Sequence, residues 1–310
     1  VNPHWANRER PILINSWEAF MFSFDQNKLL SLAKKAKDSG VELFVLDDGW
    51  FGKRNNDLAG LGDYEPNPKK LPQGIIGLAQ KIHSLGMKFG LWFEPEAINP
   101  DSDLYRAHPD WAIKEEDRPE FYGRHELLLD LTKIEVKDYI VNKVSEILDS
   151  AKVDYVKWDM NRQLVGVSGE YSYRYILSLY EILGRIFKAR PEILLESCSS
   201  GGNRFDLGMM AYSPQIWASD DTDPIERLRI QKNYSYLYPL SVMGAHVSAS
   251  PCAQTLRKTP LATRFQVACY GDLGYELDLN RLSPLELKEI KAQISFYVKH
   301  RSFLQYGRLY

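Results

Sequence analysis

The residues best suited to do chemistry sit at the ends of apolar runs. In DYVKWDMNR (Asp154 to Arg162), Lys157, Asp159 and Asn161 alternate with Val156, Trp158 and Met160. Successive side chains of a strand point to opposite faces, so an ammonium, a carboxylate and an amide would share one face. A charge kept from water is costly unless it is paired or used. The pattern recurs along the chain. LFVLDDGW ends in Asp47, Asp48 and Trp50, and GLWFEPE in Trp92, Glu94 and Glu96. LLESCSSGG carries Glu196 and Cys198, and IWASDDTD carries Ser219, Asp220, Asp221 and Asp223. Any one Asp after a strand usually caps the next helix or shapes a turn. Lys157 could snorkel to a rim, and Glu94 and Glu96 could brace the fold through buried ion pairs. Independent caps do not explain Trp, Lys and Cys recurring at the same places.

A carboxylate-rich, Trp-rich site without a nucleophilic triad suits two chemistries. Glycoside hydrolysis needs two carboxyl groups flanking the scissile bond. A divalent metal held by Asp and Glu would serve enolisation or phosphate chemistry. Trp17, Trp50 and Trp92 at strand ends favour a sugar, whose partly apolar faces stack on aromatic rings.

The elements that must position these residues read as alternating strands and helices. Strands are predicted in RPILINSW, VELFVLDDGW, KFGLWFEPE, DYVKWDMNR, ILLESC, QIWASD and SVMGAHVS, with a weaker one in ACYGDLGYEL. Helices are predicted after Asp25 (to Gly40), in QGIIGLAQKIHSLG, KIEVKDYIVNKVSEILDS, SYRYILSLYEILGRIFKAR and ERLRIQKNYSYLY, and after the capping-box sequence Ser283-Pro284-Leu285-Glu286. Strands separated by helical crossovers pair in parallel. No G-x-G-x-x-G follows the first strand, which favours a closed (β/α)8 TIM barrel over an open doubly wound sheet. In a barrel all the polar strand ends meet at one face.

Composition sets the outer bounds. Of 310 residues, 44% are hydrophobic and 26% charged, enough apolar material for a large core. A net charge of -2 without a basic block points away from nucleic acid and anionic membranes. Three scattered cysteines fit neither a zinc motif nor a disulfide framework. No apolar run approaches the roughly 20 residues of a membrane span. The expectation is a soluble cytoplasmic protein with no cofactor and no metal, its self-association into a homo-oligomer left open.

Together DDGWF, GLWFEPE, KWDMNR, ESCSSGGNRFD, WASDDTD and GYELDL, in this order from about Asn15 to Asp278, resemble glycoside hydrolase family 36, the α-galactosidases of bacterial type. The resemblance implies a (β/α)8 barrel that removes terminal α-linked galactose from melibiose- or raffinose-type oligosaccharides with retention of configuration. It implies Asp159 as nucleophile and Asp220 as general acid/base. It places Asp47 and Asp48 at galactose O4 and O6, with Lys157, Asn161 and Arg124 as further contacts. Cys198 with Gly201 or Gly202 would lie near O2, and Trp17 and Trp92 would wall the pocket. Lys157 is expected to favour ionised Asp159, and a neighbouring anion to keep Asp220 protonated. Retention predicts carboxyl groups about 5–5.5 Å apart rather than about 6.5–9.5 Å.

On the same barrel the alternatives are a transglycosylase building raffinose-type sugars and an α-N-acetylgalactosaminidase, which needs space near Cys198 to Gly202. A non-catalytic galactose-binding barrel is the alternative of another class. Family members also carry an N-terminal β-sandwich and a small C-terminal β-domain. This chain, which opens at Val1, is read as a processed or excised piece or a naturally minimal form: one catalytic domain over 1–310, with an irregular insertion at about 97–132 and without those flanking domains.

Overall fold

The structure, a computed structural model, describes residues 2–114, 122–165 and 167–308. Eight strands close into a parallel barrel: β1 (Leu13–Asn15), β2 (Leu43–Leu46), β3 (Lys88–Phe93), β4 (Tyr155–Trp158), β5 (Leu194–Ser197), β6 (Gln215–Trp217), β7 (Met243–Ser248) and β8 (Asp272–Glu276). Strand order round the ring follows the chain, and β1 closes it by pairing with both β2 and β8. The expected TIM barrel is the fold observed, with the weakest predicted strand completing the ring as β8.

Local signals in the sequence set most of the helices. Asp25 accepts from the Lys28 amide at 2.9 Å and starts helix Gln26–Ser39, which Gly40 ends at φ 102. Ser283 and Glu286 form the anticipated capping box on helix Pro284–Tyr306. Helix Gly169–Phe187 begins three residues before Ser172, where the predicted segment opens, because Ser168 serves as its cap. One crossover helix, Leu261–Ala268, was not anticipated. Its eight residues mix Thr, Arg and Gln with the apolar positions, too short a stretch to show a period. Between β5 and β6 the crossover holds only a four-residue helix, Leu207–Met210. In the irregular stretch after β3, Ala97–Ile98 pairs antiparallel with Leu127–Leu128; residues 115–121 of that expected insertion lie outside the described residues. Among the described residues no helix is long and apolar enough to cross a membrane.

The alternation within each strand sorts the barrel into layers. Ile14, Phe44, Leu46, Phe89, Leu91, Val156, Leu195, Val247 and Tyr275 join the large core shared with the helices. Their neighbours Leu13, Leu43, Val45, Tyr155 and Leu194 form a separate small cluster with Trp5, which fills the lower barrel interior. Gly90 makes room in that cluster: a Cβ there would lie 2.8 Å from Tyr155 Cδ1 and 3.0 Å from Val45 Cγ2. Above it, Trp92, Lys157 and Glu196 share one register row across β3, β4 and β5. The apolar floor therefore carries a polar storey at the C-terminal ends of the strands, where barrel active sites are built.

Gly90→Ala should overpack the floor and cost about 1–3 kcal/mol, read as a lower midpoint in thermal or urea unfolding. An unchanged midpoint would show that Tyr155 can yield.

Candidate active site

The C-terminal strand ends enclose a cavity of about 140 Å³. Its wall runs from Trp17 and Glu18 after β1, through Asp47 and Asp48 after β2 and Trp92 on β3, to Lys157, Asp159 and Asn161 at β4. It continues through Trp217, Asp220 and Thr222 at β6 to Glu276 on β8, with Arg124 and Gln254 contributed by loops. This space is well below the roughly 300–1,000 Å³ of clefts that take drug-sized ligands. It suits one small ring. Six carboxyl groups against one lysine and one arginine make the wall rich in acceptors, which fits a neutral polyol and disfavours an anion.

Asp159 is held by neutral donors. Its Oδ2 accepts from Trp92 Nε1 at 3.2 Å and from Asn161 Nδ2 at 2.9 Å, and its Oδ1 accepts from the Met160 amide at 2.9 Å. Three N–H groups thus fix both oxygens of the carboxyl group in place. Asn161 is positioned in turn by Glu94, which takes the Asn161 backbone amide and, at 2.9 Å, its side-chain amide. Burial, with Glu126 and Asp159 nearby, pushes Glu94 far above the usual carboxylate range. Glu94 is thus tied to the site through Asn161, whereas Glu96 is the anticipated brace: it pairs with Arg204 at 2.8 Å and accepts from Trp158 and Tyr175.

Lys157 bonds directly to Asp47 and reaches Asp159 only as a more distant charge. Its Nζ lies 2.9 Å from Asp47 Oδ2, an oxygen that also accepts from Asn15 Nδ2 at 2.7 Å. Burial alone would lower the lysine's pKa, but Asp47, with Cys198, Glu276 and Asp159, drives it well above its ordinary value. The lysine is a fixed cation. Asp48 has its own partner in Arg54, which is fully buried and donates from Nε at 3.0 Å and Nη2 at 2.9 Å. Both pairs are almost dry, so each charge depends on its mate.

Asp220 meets a different environment. Burial and then the charge of Asp159 raise its pKa, opposed by Lys157 and by Trp217, whose Nε1 donates to Asp220 Oδ1 at 3.0 Å. Beside it are two further acids. Glu18 is raised to about 7 by burial and by Glu276, and Glu276 to about 8 by burial and by the charges of Asp47 and Asp220. Burial thus raises all three acids of this sector, and Glu276, at about 8, holds its proton at neutral pH.

Of the residues singled out in the sequence, Trp17, Asp47, Asp48, Trp92, Arg124, Lys157, Asp159, Asn161 and Asp220 meet in the cavity. Arg124 reaches it from a turn at φ 55. Cys198, Gly201 and Gly202 are not among the residues lining the cavity, although the Cys198 thiol feels the charges of Asp159, Lys157 and Asp220. Cys198 is buried at 1% exposure, and a Cβ on Gly201 would come within 2.7 Å of the Ser219 Cα. These glycines let the Cys198–Gly202 segment press against the backbone that carries Asp220. Trp50 is corrected outright: it is fully buried, donates to the Trp92 carbonyl at 3.0 Å and packs edge-on against Phe51 and Phe93. It is core, and no sugar reaches it. Asp223 is the cap that the plainer reading expects, accepting from the Ile225 amide at 2.8 Å. Glu18, Trp217, Thr222, Gln254, Glu276 and the buried Arg54 were missed. Only Trp217, Thr222 and Glu276 lay in stretches already marked as strand ends.

The family model described as Melibiase matches residues 1–307. Alpha-galactosidase AgaA of Geobacillus stearothermophilus is 48% identical over 315 residues, covering 99% of this chain and 43% of that protein. The bifunctional alpha-galactosidase/sucrose kinase AgaSK of Mediterraneibacter gnavus is 49% identical over 304 residues, covering 98% of this chain and 32% of that protein. The solved alpha-galactosidase of Lactobacillus brevis superposes with a TM-score of 0.96 at 50% identity, over 99% of this chain and 42% of that one. An AgaA variant solved in complex with raffinose gives 0.94 at 47% identity, over 97% and 43%. The chain thus spans less than half the length of these relatives.

Arg54→Met should strand the Asp48 carboxylate in a dry site and cost about 3–5 kcal/mol. Calorimetric unfolding would show it, and a midpoint equal to that of the parent protein would mean that Asp48 can shed its charge or rotate to water.

Proposed function

The chain belongs to the melibiase family, glycoside hydrolase family 36, and from that premise we propose that it carries the catalytic site of a retaining α-galactosidase acting on raffinose-type oligosaccharides. The observation that carries the reading is the unequal pair in one small cavity: Asp159 ringed by N–H donors, Asp220 buried with its pKa raised beside it. One carboxylate suited to attack and one carboxylic acid suited to give a proton are what double displacement requires.

The chemistry follows from the donors. Asp159 Oδ1 has a single N–H partner and keeps a lone pair for the anomeric carbon, while Oδ2 has two donors and becomes the carbonyl of the glycosyl ester. Asp220 protonates the departing oxygen as the C–O bond breaks. Esterification removes the charge of Asp159, the main electrostatic influence holding the Asp220 proton, so Asp220 turns into a base and takes a proton from the incoming water. Attack from the face opposite Asp159 then restores the α configuration. Asp47 and Asp48, neutralised from behind by Lys157 and Arg54, retain lone pairs for sugar hydroxyls. Galactose presents its axial O4 to such acceptors; glucose would leave a buried acceptor unpaired, a defect that discriminates strongly. A cavity sized for one ring accepts a terminal residue and leaves the rest of the oligosaccharide outside.

Azide tests both assignments on p-nitrophenyl α-galactoside. Asp159→Gly should yield β-galactosyl azide, because azide enters in place of the nucleophile. Asp220→Gly should yield the α-azide, because it attacks the ester. Hydrolysis of raffinose by Asp220→Gly should fall about 10²–10⁴-fold, the usual worth of general acid–base catalysis. Its kcat/KM should also lose the alkaline limb, since the acid form of Asp220 is depleted as pH rises through its raised pKa. Full activity of Asp159→Gly without azide would sink the proposal.

A further inference from the structure

Trp217 is 3% exposed yet lines the cavity, and its single polar atom, Nε1, is spent on Asp220 Oδ1. The indole is held from several sides. The His246 ring lies 4.2 Å away, centroid to centroid, and the Arg227 guanidinium carbon lies 4.7 Å from the indole centre. His246 Nδ1 is fixed by Glu276 Oε2 at 2.8 Å. Arg227 is fixed by Gln231 at 3.0 Å and donates at 2.9 Å to the carbonyl of Ser219, the residue before Asp220. Two glycines on neighbouring strands make the space for these rings. A Cβ on Gly274 would fall 2.4 Å from His246 Cδ2, and one on Gly244 3.2 Å from Trp217 Cε3. Two contacts on the indole, three bonds that fix the groups making them, and two missing side chains thus aim one N–H at one carboxyl oxygen.

Resting on the acid role of Asp220 proposed above, we infer that Trp217 is a positioning residue for the general acid: its N–H occupies Oδ1, so that the transferable proton resides on Oδ2 and faces the leaving oxygen. His246 and Glu276 act one step further back, as the support of the indole. Without the N–H, Asp220 can carry its proton on either oxygen and rotate about its last bond, and the productive arrangement becomes one among several. The charged and titratable groups facing Asp220 are Asp159 and Lys157 from β4, Asp47 from the β2 end, Glu18 from the turn after β1, Glu276 from β8, Cys198 from the β5 end and Arg227 from helix Pro224–Ser235. Loss of the Trp217 N–H alters none of them.

The test is Trp217→Phe in the full chain, paired with site-specific β-(3-benzothienyl)alanine, which keeps the bicyclic shape and removes only the N–H. Values of kcat/KM are measured for raffinose, whose leaving group needs the acid, and for p-nitrophenyl α-galactoside, which needs it far less. For both variants the raffinose value should fall by about tenfold or more, a fraction of the 10²–10⁴ that general acid catalysis supplies, and the nitrophenyl value by less than about threefold. Removing a donor that favours the carboxylate should also let Asp220 keep its proton to higher pH, moving the alkaline limb for raffinose upward. Equal losses on both substrates, or an unmoved limb with the isosteric residue, would overturn the inference and leave Trp217 as packing alone. Asp220→Asn is the control. If it shows no dependence on the leaving group, the acid assignment itself fails; if it does and the Trp217 variants do not, only the inference falls.

Discussion

The ion pair between Lys157 Nζ and Asp47 Oδ2, 2.9 Å apart and nearly dry, is the constraint on which the rest of the site depends. Six carboxyl groups share one small cavity, and like charges at such range cannot all ionise in a poorly solvated space. Lys157 sits on the central strand of the polar sector and stabilises anions on either side of it, Asp47 first and Asp159 more distantly. Arg54 does the same for Asp48 from outside the ring. With those cations bonded to Asp47 and Asp48, the remaining acids feel Lys157 only as a more distant charge. Burial and mutual repulsion raise Glu18, Glu276 and Asp220 toward their protonated forms, so the wall divides into an ion-paired half and a half of raised acids.

That division gives the two central aspartates opposite characters although they are the same residue type. Asp159 is served by Trp92, Asn161 and a backbone amide, all neutral, so its charge is stabilised without being cancelled by a tight salt bridge. A lysine bonded to it directly would have dulled it as a nucleophile. Reserving Lys157 for Asp47 avoids that outcome and gives the sugar-facing carboxylate a cation behind it. Each functional acid thus has its own kind of partner: neutral N–H donors for attack, burial for proton donation, cations for holding hydroxyls.

Much of this was legible in the sequence because the barrel turns strand alternation into geometry. The inward face of DYVKWDMNR was read from a period of two, and Lys157, Asp159 and Asn161 do share it. The capping sequences at Asp25 and Ser283 announced their helices in the same local way. What stayed hidden depends on which residues meet across the ring. Lys157 lies 110 positions from Asp47, and its choice of that partner over nearby Asp159 is decided by the packing of β2 against β4 through the interior. Trp50 and Trp92 look alike at strand ends, yet Trp50 turns outward into the helix layer, where Phe51, Tyr64 and Phe93 surround it. Glu18 joins the site from a four-residue helical turn after β1, a place with no periodic signature to announce it.

The layered interior carries a further consequence, for how such a protein can change. Leu13, Leu43, Val45, Tyr155 and Leu194 hold the barrel together one storey below any residue that meets the cavity. Substitutions that repack this floor at constant volume alter rigidity while leaving the register of the upper storey to the strand ladders. Durability and reactivity therefore reside in different rows of the same strands. A lineage could remodel the loops and strand tips for a new sugar while drawing its reserve of stability from the row beneath, the two traits drifting under separate selection.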